Sequence, residues 1–379
     1  MKPIPASTVT STSPAAGVPL DGVRAVQVPM RCDALMPTVD FFVQRVGFRI
    51  DAIFPAESPR IAILSGYGVS LRLGADVVGG VEALNLLCDA PERIAGERDL
   101  EAPNGVRIRF SSADPQLRLP ETRQAWCVSR NEDDAQWTVG RAGLRYRDLL
   151  PARHGGAFIA SHIRILSGGP VPDYVHFHKV RFQMIFCRAG WVRVVYEGQG
   201  EPFVLNAGDC VLQPPRIRHR VLESSAGAEV IELGAPAEHV TMVDHDMALP
   251  TAARYPADHD FDGQRFVRHV AAQAGWEPWR MRGFECADTG IGMATGGLAG
   301  VRVVRRVPGA VLPELTAHDT EFCFFFVLAG SLTVLNGHAR IVLNRDDSVT
   351  LPGAAPYAFE QCSDDLELLE VTLPADFSV

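Results

Sequence analysis

Apolar and polar positions alternate along this chain in two different styles. Near the N-terminus, Leu35, Val39, Phe42, Val43 and Val46 recur at helical spacing. Pro37 sits in the first turn and Gly47 follows the last apolar position, so the pattern predicts a helix that ends at Gly47. The extended run "VRAVQVPM" precedes it, and the strand-like segments "RIAILSG" and "GVSLRLG" follow. This order predicts a small α+β unit, β-α-β-β-β, within residues 23–110, behind a flexible tail at 1–22. Residues 111–150 show no sustained period, and "NEDDAQW" is a solvated charge run, so this stretch is expected to be a linker.

From residue 151 the alternation shortens to period two. Runs rich in Val, Ile and Phe, such as "AFIASHIRIL", "FQMIFC", "WVRVVYE" and "AEVIEL", are separated by Gly, Pro, Asn and Asp. A second set begins near 291 with "GVRVVRRV", "EFCFFFVLAGSLTVL" and "LELLEVTL". The two sets overlay: Gly190 on Gly330, Val194 on Val334, Leu205 on Leu343, Asp209 on Asp347 and Pro214 on Pro352. Such a repeat predicts two similar β-barrels in tandem, at 151–240 and 291–379. The Pro-, Asp- and His-rich stretch 241–290 is expected to connect them. Its histidines, with His239 just before, share no face; solvated or capping roles are expected for His239, His245 and His259.

Composition narrows the function classes. The chain has 379 residues, enough for several domains with ample core. Its 36 Lys and Arg stand against 45 Asp and Glu, a net charge of −9. That balance excludes the broad basic surface that nucleic acid or an anionic membrane would need. No apolar run approaches the roughly 18 to 20 residues of a membrane span, and the N-terminus lacks the apolar core of a signal peptide. The eight cysteines form no CxxC pair and several lie in apolar strands, so buried thiols in a cytoplasmic protein are expected.

The candidate chemistry lies in "VHFHKVRFQMIFCRAG". Residues i and i+2 of a strand point to one side, so His176 and His178 project two imidazoles into one space. His219 follows "GDCVLQPPRIRH", where Gly208, Pro214 and Pro215 mark a strand, a turn and a new strand that can return beside the pair. Two readings stand: a metal site, or interior histidines without metal.

Gly169, His176, His178, Gln183 and Gly190 resemble the first cupin motif, HxH followed by a carboxylate and a glycine. Gly208, Pro214 and His219 resemble the second. With the repeat, residues 140–379 resemble a bicupin, of the quercetinase-like or another metal-using type, built from tandem double-stranded β-helix barrels. The resemblance implies one divalent transition metal held by His176, His178 and His219, with Gln183 standing where the family has glutamate. A neutral amide removes no charge from the ion and is a weaker ligand. Imidazoles suit Fe, Ni, Cu, Co and Zn alike, so the metal's identity stays open. "TVDFFVQRVGFRID" resembles the first module of the glyoxalase, or vicinal-oxygen-chelate, superfamily. The first strand there offers Gln27 alone as a ligand, which points to a packing or dimerisation module.

Further candidates surround the histidines. The parity that turns His219 inward also turns Ile217, Val221 and Glu223 inward, making Glu223 a candidate general base. His162 and Arg164 share a face with Phe158 and Ala160. If that face lines the barrel, Arg164 would hold a substrate anion and His162 would shuttle protons; exposure to solvent is the competing placement. Cys187 shares parity with Gln183, and an inert buried thiol is the simpler reading. Tyr196 and Trp191 are expected to be core or rim aromatics. In the second copy the ligand positions become Thr316, His318, Cys323 and Tyr357, so that barrel is expected to be structural. The expectation for the whole is a metal-dependent cupin oxidoreductase, of dioxygenase type, acting on a small anionic oxygen-rich molecule. A redox-silent isomerase, lyase or hydrolase and a non-catalytic binding protein are the alternatives. A homodimer is the expected assembly.

Overall fold

Period-two alternation folds most of the chain into strands. The computed structural model describes residues 27–378 except 55–58, 94–98, 132–136, 140–143, 313–314 and 338. The expected tail at 1–22 lies outside the described residues. These fall into two compact units, one within Ala15–Gln116 and one within Leu117–Val379.

In the first unit, strand Gln27–Arg31 leads into helix Leu35–Phe41, which continues through a π-type turn at Phe42–Val46. Gly47 ends it at φ 89°, where a Cβ would also meet the Tyr67 hydroxyl at 2.8 Å. Strands Arg49–Phe54, Ile61–Gly66 and Val69–Gly74 complete a four-stranded sheet whose first strand pairs in parallel with its last. The predicted β-α-β-β-β order is therefore present. Ala83–Cys88, Asp99–Glu101 and Arg107–Ser112 form a separate three-stranded sheet. Phe42, Leu64, Leu71 and Ile108 share one core across both sheets.

The second unit holds two copies of one two-sheet arrangement. In the first copy, strands Cys210–Leu212, Phe182–Ala189, Ala228–Ala235 and Ile159–Ile165 lie side by side in one sheet. Strands Phe203–Asn206, Trp191–Tyr196, His219–Ser224 and His176–His178 form the other. The second copy repeats the first order with Ser348–Thr350, Phe322–Ala329, Glu367–Leu373 and Gly300–Arg306. The register repeats too. Ile185 faces Glu232 as Phe325 faces Glu370, and His176 faces His219 as Thr316 faces Tyr357.

Two connecting segments do more than their sequence suggests. The expected linker 111–150 supplies Arg145–Asp148 to the first copy, pairing with Ile159–Ile165, and Cys127–Ser129 to the second, pairing with Ser348–Thr350. Each is too short to show a period. The expected connection 241–290 contributes Thr241–Val243 beside His176–His178, and Val267–His269 beside Cys210–Leu212. Strand Phe284–Asp288 extends the second copy's sheet. The larger sheets of the two copies share one apolar core, in which Phe158 stacks on Phe322 with centroids 4.1 Å apart.

Candidate metal centre

The strand His176–His178 buries both imidazoles and sends the intervening Phe177 to the opposite side, under the Arg218 guanidinium at 4.4 Å. His219 opens its own strand directly across from His176. The turn before it is fixed by Arg216, which takes φ 63° and donates its backbone N–H to the His178 carbonyl at 2.9 Å. Ring centroids then lie 4.3 Å apart for His176 and His219, 5.1 Å for His176 and His178, and 5.3 Å for His178 and His219. One ring nitrogen from each falls within 4.8 Å of the others.

The remaining nitrogens are held. His176 Nδ1 donates to the Tyr174 carbonyl at 2.8 Å and His219 Nδ1 to the Ile217 carbonyl at 3.0 Å. His178 Nδ1 meets the Thr241 hydroxyl at 3.0 Å. An Nδ1–H given to a backbone carbonyl fixes the tautomer that keeps a lone pair on Nε2 for a metal, as at His176 and His219. The buried Asp173 carboxylate lies 3.7 Å from His176 Nδ1 and accepts the Val221 backbone N–H. The donor set of His176, His178 and His219 fits what a divalent transition metal needs.

The cluster opens onto a cavity of about 270 Å³ between the two sheets. Aliphatic side chains including Ile163, Ile185, Val194, Leu205 and Val230 line most of it. Polar atoms come from Ser161, Gln213, Glu232, His239 and Thr241, together with the rings of Tyr146 and Tyr196. Tyr196 stacks near His219 at 5.5 Å and accepts a hydrogen bond from Gln213, while burial pushes its phenol well above the usual range. His239 stands 5.4 Å from the His178 ring, its Nδ1 bonded to the Pro236 carbonyl.

Gln183 is buried on strand Phe182–Ala189, and its amide N–H donates to Glu232 Oε1 at 2.5 Å. It can offer an ion its carbonyl oxygen alone. Glu232 lies in the cavity but outside the three-histidine group.

The three catalytic candidates sit elsewhere. On strand Ile159–Ile165 the cavity face carries Ile159, Ser161, Ile163 and Ile165, so His162 and Arg164 point the other way. That opposite face packs toward the second copy: the His162 ring is fully buried 5.6 Å from Phe326. His162 Nε2 donates to Glu229 at 2.9 Å, and its Nδ1 accepts from Arg147 at 3.2 Å. Burial lowers the His162 pKa more than Glu229 raises it, so the ring is neutral near pH 7. Arg164 pairs with Glu229 at 2.8 Å and covers Trp137. Both are bracing residues.

Glu223 is displaced by a bulge. Val194 pairs with Val221 but Arg193 pairs with Glu223, so Leu222 is an extra residue and the parity reverses beyond it. Glu223 consequently faces outward and pairs with Arg193 at 2.9 Å, while Ser224 turns inward and is buried. Cys187 is buried, its thiol pushed up to about 12 by burial and the nearby Asp209. It directs Sγ at the carbonyls of Ala189 and Gly190 and is an inert core thiol.

Glu232, Thr241, Ser161 and Gln213 were not singled out from sequence, and His239, expected to be solvated or capping, lines the cavity instead. Glu232 alone had a usable signal, because the overlay that aligns Pro214 with Pro352 runs on to place Glu232 on Glu370.

The second copy carries no such cluster among the described residues. His318 Nε2 meets the Leu351 carbonyl at 3.1 Å, while Cys323 and Tyr357 are buried among Trp279, Phe325 and Phe359. All eight cysteines are free thiols. Among the described residues no helix is long and apolar enough to cross a membrane.

No protein-family profile matches the sequence, and no curated protein does. Solved structures similar to it include a putative glyoxylate-induced protein from Pseudomonas aeruginosa, at 12% identity and TM-score 0.49, covering 70% of this chain and 96% of that one. A salicylate 1,2-dioxygenase from Pseudaminobacter salicylatoxidans is similar at 14% identity and TM-score 0.49, covering 67% and 86%. An oxalate decarboxylase from Lactobacillus farciminis follows at 16% identity and TM-score 0.47, covering 70% and 88%. What the site can do has to be read from its own side chains.

Proposed function

We propose that this chain is a metal-dependent enzyme of the bicupin type, with its active site in the first copy and an oxidoreductase activity of dioxygenase type. One observation carries the reading: three imidazoles, each with one nitrogen held, converge at the wall of a largely aliphatic cavity. His176, His178 and His219 would hold Fe, Ni, Cu, Co or Zn. A bound ion of this kind supplies a binding place for an anionic oxygen donor and, for the redox-active metals, for dioxygen.

The cavity sharpens the expected substrate. Its mostly aliphatic lining offers apolar contact to the substrate body, and among the described residues no Arg or Lys lines it. An anionic group would therefore be recognised at the histidine end and the rest of the molecule by apolar contact. An alkyl diketone, with an anionic enolate and an apolar remainder, fits this description.

Glu232 and His239 in the same cavity favour proton-transfer chemistry as a second reading, a redox-silent isomerase or lyase. Elemental analysis followed by oxygen-uptake assays separates the two. Oxygen consumption with short alkyl diketones by iron-, nickel- or copper-loaded protein supports the leading reading. Turnover of the same compounds at an equal rate without oxygen supports the second. Absence of bound metal after reconstitution overturns both.

A further inference from the structure

Among the described residues the cavity has one acidic side chain, Glu232, and it has a counterpart with a different partner. Glu232 faces Ile185 on one side and Ser161 on the other; Glu370 faces Phe325 and Arg302 in the second copy. Both glutamates therefore occupy the same place on the same strand. Glu370 is fully buried and surrounded by cations. It forms an ion pair with Arg280, accepts from Trp279 Nε1 at 3.2 Å and lies 3.9 Å from Arg302.

Arg280 also stands beside Cys323 and Tyr357, the residues at the positions of Gln183 and His219. A guanidinium thus fills the second copy where the first has its histidines. In the first copy Ser161 replaces Arg302, and among the described residues no cation pairs with Glu232; its hydrogen bond comes from the neutral Gln183 amide. A carboxylate in an aliphatic cavity is costly without a compensating charge.

Resting on the metal-site reading above, we propose that Glu232 is the carboxylate of the metal centre, delivered from strand Ala228–Ala235 in place of position 183. In this arrangement Gln183 is a positioning residue: its N–H holds the carboxylate within the cavity. Three neutral imidazoles leave a divalent ion its full charge, and Glu232 offsets half of it, as Arg280 offsets Glu370.

Cobalt(II) alone, titrated into the full chain with a competing chelator and followed by its visible absorption, tests this. Wild type is expected to bind one ion and His176→Ala none. Glu232→Gln should weaken binding by about tenfold or more, since an ion loses its nearby counter-charge. The swapped variant Gln183→Glu with Glu232→Gln should return to within about threefold of wild type, because the carboxylate has crossed its own hydrogen bond. It also guards against misreading a Glu232→Gln protein that folds poorly.

Wild type that binds no cobalt overturns the metal-site reading, and this inference with it. Tight wild-type binding that Glu232→Gln leaves unchanged, in affinity and in spectrum, overturns the inference alone. So does a swapped variant no tighter than Glu232→Gln.

Discussion

An imidazole becomes a dependable ligand when its second nitrogen is fixed, and the backbone carbonyls of Tyr174 and Ile217 do this for His176 and His219. Removing one ring leaves only two of the three converging imidazoles, so His176→Ala is expected to abolish stoichiometric metal binding, measured by elemental analysis after dialysis. Retention of one equivalent would place the metal elsewhere. A different residue governs acid stability. Burial raises the Glu229 carboxyl, but the His162 N–H and the Arg164 guanidinium outweigh it and hold it at about 2. A depressed carboxyl stabilises the fold fully above its unfolded value near ~4.3. That contribution is lost as pH falls through the folded value. Glu229→Gln should therefore lower stability at pH 7 by roughly 1–3 kcal/mol, and the gap should narrow between pH 4 and pH 2. Parallel denaturation curves at both pH values check it; an unchanging gap would mean that packing, not charge, is lost. The histidines were legible from sequence because a three-residue strand and a turn suffice to aim them. The role of Gln183 was not, since its partner Glu232 is 49 residues away and only register brings them together.

At the scale of the strand, parity arguments hold until a bulge. His219 and Val221 reach the cavity as alternation requires, and one extra residue at Leu222 then turns Glu223 out to Arg193. On strand Ile159–Ile165 parity holds throughout: Ser161, Ile163 and Ile165 keep strict alternation, which is why His162 and Arg164 face away. Their outward face was unreadable beforehand because burial against a second copy looks, in sequence, like burial around a cavity. Glu223 and Arg193 are about 36% and 41% exposed, and such pairs contribute ~0–1 kcal/mol. Glu223→Gln is accordingly expected to keep wild-type metal affinity and a thermal midpoint within a few degrees of wild type. Loss of activity with metal and fold intact would return Glu223 to the site. The strands hidden in 111–150 escaped notice for a related reason: two to four residues cannot display a period.

For the second unit as a whole, the overlay of its two halves was the most informative pattern in the sequence, and the shared register confirms it pair by pair. What the overlay could not show is that the halves share a core. Phe158, Phe182, Met184 and Leu233 from one copy pack with Phe322, Phe324, Leu369 and Val371 from the other, and Arg181 and Arg188 pair with Glu321 and Asp346 at its edge. The segment 111–150 adds a strand to each copy, tying them further. Two domains joined this way should unfold together, because neither can lose its larger sheet without exposing the other's apolar face. Phe322 belongs to the second copy, is fully buried and stacks on Phe158 of the first. Phe322→Ala should cost about 3–5 kcal/mol, and the loss should reach the metal centre although no ligand is touched. In a thermal or denaturant series followed by circular dichroism and by release of bound cobalt, both midpoints are expected to shift down together. Cobalt retained at the wild-type midpoint while part of the β signal melts early would show that the first copy folds independently, and that the second is a separable support.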